Sequence, residues 1–253
     1  MRKLRFFVPL CNINGDSVVI DGQEFRHLTK VLRLKKDDIV TVLCDDDNIR
    51  ECVVVDIKKD KALAKVLNIK TVKQDGANIC VYQALIKSEP LSFAVQKCTE
   101  LGVHSYVPFK SEFGVIVDKG QIKSRLQRIA ESSCKQCGRA QNIKIGDTLS
   151  FDEMCNDLSQ YSSVIVAYEK DSTNAKQVLS TLKLDDKIAI IIGSEGGFSP
   201  KEIDKLKILK NVSFVSLGKL ILRAETAVVA LVSAIKYELG EFTNENINVD
   251  TGV

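Results

Sequence analysis

The chain has no tryptophan, two histidines, two methionines and four prolines, and aromatic residues make up only 6% of its 253 residues. So few aromatics argue against a sheet surface that stacks RNA bases. The histidines, His27 and His104, stand far apart, and neither has a partner at metal-ligand spacing. No uninterrupted apolar stretch approaches the roughly 18 residues of a membrane helix. The N-terminal segment carries basic residues but no adequate apolar run before Asn12, so neither a membrane span nor a signal peptide is expected. The patterns G-x-x-x-x-G-K-[ST], G-x-G-x-x-G and G-x-S-x-G are missing too, which disfavours a P-loop, a Rossmann dinucleotide site and a serine nucleophile elbow. Charge of one sign is not in excess: 36 Lys and Arg face 33 Asp and Glu, for a net +3. Any affinity for nucleic acid must therefore come from how charge is distributed.

Cysteine is present, eight times, at 11, 44, 52, 80, 98, 134, 137 and 155. Most of these positions lie in apolar strand-like or helical runs, where Cys behaves as a small hydrophobe. Reduced thiols in a cytoplasmic protein are expected. Cys134 and Cys137 form a C-x-x-C, but no second pair completes a zinc site. They also fall late in a helix rather than at the N-terminus that lowers a thiol's pKa. A structural role is expected, and no metal.

Two domains are expected, residues 1–72 and 73–245, with the boundary in the polar stretch TVKQDGA. The first is β-rich: Leu4–Val8, Ser17–Ile20, Asp38–Leu43, Arg50–Ile57 and Ala62–Leu67 read as strands between Asn-Gly, Asp-Gly and charged turns. One helix interrupts them, over Glu24–Arg33, with Phe25, Leu28, Val31 and Leu32 on its inner side. The second domain alternates strands and helices. Ile79–Ile86, His104–Pro108, Ser163–Tyr168 and Ile188–Ile192 read as strands. Pro90–Leu101, Gln121–Arg139 and Asn174–Leu182 read as helices. This alternation predicts a parallel sheet with helices on both faces.

The chain is organised around residues 188–227. The apolar run Ile188–Ile192 breaks at Gly193, and Gly196 and Gly197 come next; such glycines admit positive φ or a close backbone approach. Ser199, Pro200 and Glu202 then mark a capped helix start. A short strand, Val212–Leu217, ends at Gly218, and the loop Lys219–Arg223 leads into a long apolar helix near Glu225. Strand ends that open into such loops build ligand sites in open α/β sheets.

Charge concentrates on the helix over 121–139. Arg125, Arg128, Lys135 and Arg139 share a sector of about 80°, while Ile122, Leu126, Ile129 and Cys137 fall on an apolar side. Such a row is either a solvated face or a set of phosphate contacts. Lys97 and Glu100 are spaced to pair.

IGSEGGFSPKE and then LGKLILRAETA resemble the signature pair of the RsmE-type ribosomal RNA methyltransferases of the SPOUT superfamily, usually G-P-E-G-G and L-G-x-x-I-L-R-x-E-T-A. RFFVP, HLTKVLRLKKDD, KCTELGV and CKQCGR extend the resemblance over almost the whole chain. Ser194 departs from it, standing where the family normally has proline.

The resemblance implies an α/β fold: a SPOUT-type knotted parallel-sheet methyltransferase domain with a C-terminal trefoil knot, preceded by a small PUA-like β-barrel that binds RNA. It implies S-adenosylmethionine as cofactor and N3 of a uridine in 16S (small-subunit) ribosomal RNA as acceptor. It also implies a homodimer, with the last helix at its seam. Carried over by motif, Gly193, Gly197, Leu217, Gly218, Ile221 and Leu222 would line the cofactor pocket, with Tyr168 beside them. Arg223 is the candidate catalytic cation, Arg139 a second, and Glu225 either contributes directly or orients Arg223. Arg5, His27, Arg33, Lys87, Arg128 and Arg139 are the expected RNA contacts. Two alternatives remain at this point: a non-catalytic RNA-binding module on the same fold, and an α/β enzyme using another nucleotide cofactor.

Overall fold

In the computed structural model of the chain, the described residues are 4–44, 46, 48–71, 76–139, 141–170 and 174–242. They fall into two compact units. The first holds the described residues up to 71 together with Cys134–Asn142, and the second holds those of Gly76–Ser133 and from Ile143 onward.

The first unit is a six-stranded sheet of β1 (Arg5–Phe7), β2 (Ile13–Asn14), β3 (Ser17–Asp21), β4 (Ile39–Leu43), β5 (Asn48–Ile57) and β6 (Lys61–Thr71). Its order is β1-β4-β5-β6-β3-β2, antiparallel except for the β1–β4 pair. The β5–β6 pairing slips between Glu51 and Cys52 and again between Val54 and Asp56, and such bulges increase local twist. Alternate residues, among them Val18, Ile20, Val40, Val42, Cys52 and Val54, bury one face.

The helix expected over Glu24–Arg33 takes a different form. Helix α1 spans Gly22–Arg26 and gives way to a π-turn over His27–Val31, where the Leu32 N–H bonds the His27 carbonyl at 3.0 Å. A π-turn inserts an extra residue and so rotates the side chains after it away from the helical register. Leu28 is fully buried and Phe25 and Leu32 pack on the core, but Val31, expected inside, is 68% exposed.

The second unit is a wholly parallel sheet of β7 (Asn78–Ala84), β8 (Ser105–Phe109), β9 (Lys144–Ile145), β10 (Ser163–Ala167), β11 (Lys187–Ile192) and β12 (Val212–Val215), in the order β12-β10-β11-β7-β8-β9. The apolar run in β11 reflects burial on both faces. Ile188, Ile190 and Ile192 enter one core with Leu91, Val95, Val228 and Leu231, while Ala189 and Ile191 enter another with Tyr82, Met154 and Ile203. At about 1.5–3 kcal/mol for each large aliphatic side chain fully buried, these layers supply much of the unit's stability.

Helices α2 (Ser88–Glu100), α3 (Ile122–Cys137), α5 (Ala175–Leu179) and α7 (Ala224–Glu238) contribute to the first core, and α4 (Phe151–Asp157) and α6 (Pro200–Lys207) to the second. Helix α3 stops at Cys137, two residues short of its expected end, because Gly138 turns left-handed (φ +83°). Along it Cys134 is buried and Cys137 exposed, the reverse of the side expected for Cys137. Among the described residues no helix is long and apolar enough to cross a membrane, and no group of three His, Cys, Asp or Glu side chains is placed to hold a metal.

Candidate functional site

Neighbouring strands β7 and β11 belong to halves of the sheet that build outward in opposite directions, and ligands bind beyond the carboxyl ends of strands at such a switch point. A cavity of about 620 Å³ lies there, within the usual range for small-molecule sites. Four segments, those after β7, β10, β11 and β12, line it.

The segment after β11 is a tight turn. The Gly197 N–H donates to the Ser194 carbonyl at 2.9 Å, and Gly197 takes φ +72°. A Cβ there would be strained and would sit 3.8 Å from Glu169 Oε1. Gly193 and Gly196 are not left-handed; close contacts constrain them instead, since a Cβ on Gly193 would meet the Phe198 ring at 3.1 Å and one on Gly196 would meet Phe113 Cβ at 2.9 Å. Ser194 is buried, and its hydroxyl donates to the Gly197 carbonyl at 3.4 Å, so it closes the turn from within. The Gly193 carbonyl accepts from the buried Gln83 amide at 3.2 Å. Downstream, Ser199 and Glu202 complete a capping box at the start of α6. Glu202, only 4% exposed, also accepts the Glu112 N–H at 2.9 Å, tying the loop after β8 to the same structure.

The segment after β12 supplies the opposite wall. Leu217, Gly218, Ile221, Leu222, Arg223 and Glu225 all line the cavity, as do Gly193, Gly197 and Tyr168. Gly218 is left-handed (φ +114°). Arg223 is the N-cap of α7 with an exposed side chain, and it forms no ion pair with Glu225. Lys87 stands on the rim, exposed, its N–H 3.5 Å from Glu195 Oε1.

The other expected RNA contacts do not line this cavity. Arg128 is exposed on α3, its Nε donating to the Ser124 carbonyl. In the first unit, Arg5 is half-buried and donates to the Lys135 carbonyl at 3.4 Å, and the half-buried His27 ring lies 5.9 Å from that of Phe6. Arg33 is exposed with φ +55°, and Arg139 is half-buried. Lys135, from the same basic row, is committed to an ion pair with Glu24. Lys97 and Glu100 pair at 2.8 Å.

The cavity lining suits a cationic, partly apolar ligand. Glu169, Glu195 and Glu225 supply negative charge; Tyr168, Leu217, Leu222 and Ala227 supply apolar wall. S-adenosylmethionine, with its sulfonium, ammonium and adenine, fits this donor set. Gln83 and Glu169 carry no motif of their own that marks them for a site, and Glu202 is marked only as a helix cap. Gln83 is one residue in a strand, and its partner lies 110 positions away.

An open parallel α/β sheet with a ligand cavity beyond its strand ends defines a cofactor-binding domain, alongside a separate β-rich unit. A family profile described as an RNA methyltransferase domain matches residues 73–236, and one described as an RNA methyltransferase PUA domain matches residues 20–67. The chain belongs to the RNA methyltransferase family. It is 28% identical over 247 residues to the ribosomal RNA small subunit methyltransferase E of Bacillus subtilis, covering 92% of this chain and 96% of that one. The protein of the same name from Buchnera aphidicola subsp. Acyrthosiphon pisum is 32% identical over 233 residues, covering 87% and 88%. Among solved structures, the Neisseria gonorrhoeae ribosomal RNA small subunit methyltransferase E bound to S-adenosyl methionine superposes with a TM-score of 0.84 at 27% identity, over 95% of this chain and all of that one.

Proposed function

We propose that this protein transfers a methyl group from S-adenosylmethionine to N3 of a uridine in 16S ribosomal RNA. The observation that carries the reading is the convergence of both motif loops, Gly193–Phe198 and Ser216–Arg223, on one cavity in a member of the RNA methyltransferase family. The names of the relatives support small-subunit ribosomal RNA as substrate, and the gonococcal structure supports the cofactor.

The glycine turn and the Leu217–Leu222 segment would hold the cofactor, with Tyr168 on the apolar wall. Once bound, S-adenosylmethionine supplies an electrophilic methyl group on its sulfonium. Transfer then needs alignment and a deprotonated acceptor. Uridine N3 lies between two carbonyls; its proton passes to solvent water before transfer, and Arg223 at the cavity lining would stabilise the negative charge then carried by one of those carbonyls. Glu225, also on the lining and not paired with Arg223, is assigned a supporting catalytic role. The target base must be unpaired or flipped to reach the cavity.

Arg5, His27, Arg33 and Arg139 in the first unit, and Lys87 and Arg128 in the second, are assigned to RNA contact. Residues 1–72 then serve as the PUA-like RNA-binding domain, and 73–245 as the catalytic domain with its C-terminal path knotted. We assign the working state as a homodimer. In a single chain Leu220 and Ile221, on the cavity lining, are 80% and 86% exposed, and a second subunit would cover them.

Nucleoside mass spectrometry of small-subunit ribosomal RNA from cells lacking the protein tests the reading. Loss of 3-methyluridine, restored when the purified protein and S-adenosylmethionine are added to the unmethylated subunits, is the expected result. RNA binding without any methyl transfer would assign the chain to a binding-only role.

A further inference from the structure

A second cavity, of about 290 Å³, opens beside the first; of the expected RNA contacts only Arg128 lines it, and no ligand group is yet assigned to it. The two are adjacent along the chain: Ile86 and Ser88 line the second cavity, and Lys87 between them lines the first. The floor is apolar, from Ile86, Leu91, Ile116 and Ile122. The polar groups come from Ser88 at the start of α2, from the loop before α3 and from the first turns of α3.

Those polar groups are mainly cationic. Arg125, Arg128 and Lys119 line the cavity, and none is in an ion pair among the described residues. The one lining carboxylate, Asp118, is already engaged: it accepts the Gly120 N–H at 2.7 Å and the Thr148 hydroxyl. Arg125 is held in place, its Nη1 donating to the Ser88 hydroxyl, while its Nε is buried without a hydrogen-bond partner. An orphaned guanidinium nitrogen under a fixed fork is a costly arrangement unless a ligand completes it. Arg128 leans back along its helix, its Nε on the Ser124 carbonyl, which directs it toward the same end of α3. Helix α2 begins at this cavity with no side chain capping its first turn, so its positive end adds to the field.

We propose that this second cavity is a phosphate subsite: it holds the backbone phosphate of a nucleotide next to the one whose base enters the first cavity. Arg125 is its main ligand, fixed by Ser88, with Arg128 and Lys119 closing over the anion and the apolar floor meeting the ribose. The inference rests on the RNA-methylating reading and extends it. A base drawn out of the strand needs its neighbouring phosphate gripped, and a planar guanidinium does this with geometry as well as charge.

The test uses the intact protein and a uridine decanucleotide, with binding measured by fluorescence anisotropy over a series of salt concentrations. Arg125→Gln is expected to weaken binding roughly tenfold and to lower the salt slope by about 0.7, the value for one single-strand phosphate contact. S-adenosylmethionine affinity by calorimetry should be unchanged. Lys119→Gln, on an exposed loop, should lower the slope without affecting folding, so a misfolded Arg125 variant leaves the proposal testable. Ser88→Ala should weaken binding with the slope retained, since it frees the guanidinium without removing its charge. Unchanged slopes in both cation variants would overturn the subsite. Inorganic phosphate that displaces the oligonucleotide at equal concentration would also overturn it, pointing to a free-anion site. If the slopes fall as expected but no methyl is transferred to small-subunit RNA, the subsite stands and the methyltransferase reading falls.

Discussion

The buried side-chain amide of Gln83 donates to the Gly193 carbonyl at 3.2 Å, fastening the glycine turn to the neighbouring strand at the point where β11 ends. Gln83 and Ile192 are register partners across β7 and β11, so the bond forms just beyond the last paired residue. The Gln83 Oε1 has no partner, so the residue acts through its nitrogen alone. Gln83→Leu keeps the approximate volume and removes both the useful donor and the unsatisfied acceptor. Because the Gly193 carbonyl is left without its donor, the melting temperature should fall modestly. The turn loses its anchor, and S-adenosylmethionine affinity should fall about tenfold, in line with about 1–3 kcal/mol for a buried carbonyl left unpaired. Calorimetry showing native affinity would mean that the turn holds its shape without Gln83.

Gly197 tests the same turn from the ligand side. Its φ of +72° disfavours any side chain, and a Cβ would project beside Glu169 on the cavity lining. Gly197→Val should cost about 1–3 kcal/mol in backbone strain and abolish cofactor binding while the protein still folds. Retained binding in a folded variant would remove Gly197 from the site.

How much of the fold and the site is legible in the sequence depends on the range of the interactions. The strand Ile188–Ile192 and the capped start of α6 are local patterns, and the sequence alone predicts both. The capping box of α4, Ser150 with Glu153, is equally local, yet the reading by periodicity assigns no element between α3 and β10. The signal that finds it is the same Ser-x-x-Glu spacing seen at Ser199. The two-residue strand β9 carries too little periodicity to be read. The π-turn that exposes Val31 rests on backbone hydrogen bonds, among them Leu32 N–H to the His27 carbonyl, that no side-chain pattern encodes. Gln83 and Glu202 act on partners 110 and 90 positions away, and such pairings exist only once the sheet has formed.

The first unit carries a pH dependence of its own. Arg50 hydrogen-bonds Asp46 and holds its carboxyl well below the usual carboxylate range, against the opposing effect of burial. A carboxylate whose folded pKa is depressed stabilises the fold above its unfolded value, near pH 4, and loses that contribution as pH falls toward the folded value. Asp46→Asn should be less stable than the native protein at pH 7, and the two denaturation curves should converge below about pH 4. A constant difference down to pH 2 would show that the pair contributes nothing to acid sensitivity.

Arg223 separates chemistry from binding. Its backbone starts α7, with its carbonyl accepting from Thr226 and Ala227 at 2.9 and 2.8 Å, while its side chain is exposed on the cavity lining and makes no cap bond. The helix start therefore depends on the Arg223 main chain, and truncating the side chain should leave the fold intact. A guanidinium serving a uracil carbonyl would be a preorganised donor, and losing one typically lowers turnover by about 10²–10³. Arg223→Ala should keep its melting temperature, bind S-adenosylmethionine within a few-fold, and lose single-turnover methylation of small-subunit RNA by that factor. Arg223→Lys should also be impaired, because an ammonium keeps the charge without the planar fork. Because Arg223 and Glu225 form no ion pair, the Arg223 defect should not be reproduced by Glu225→Gln through loss of orientation. A methylation rate at native level in Arg223→Ala, with both substrates saturating, would end the catalytic assignment, and loss of cofactor binding instead would make Arg223 a cofactor-positioning residue.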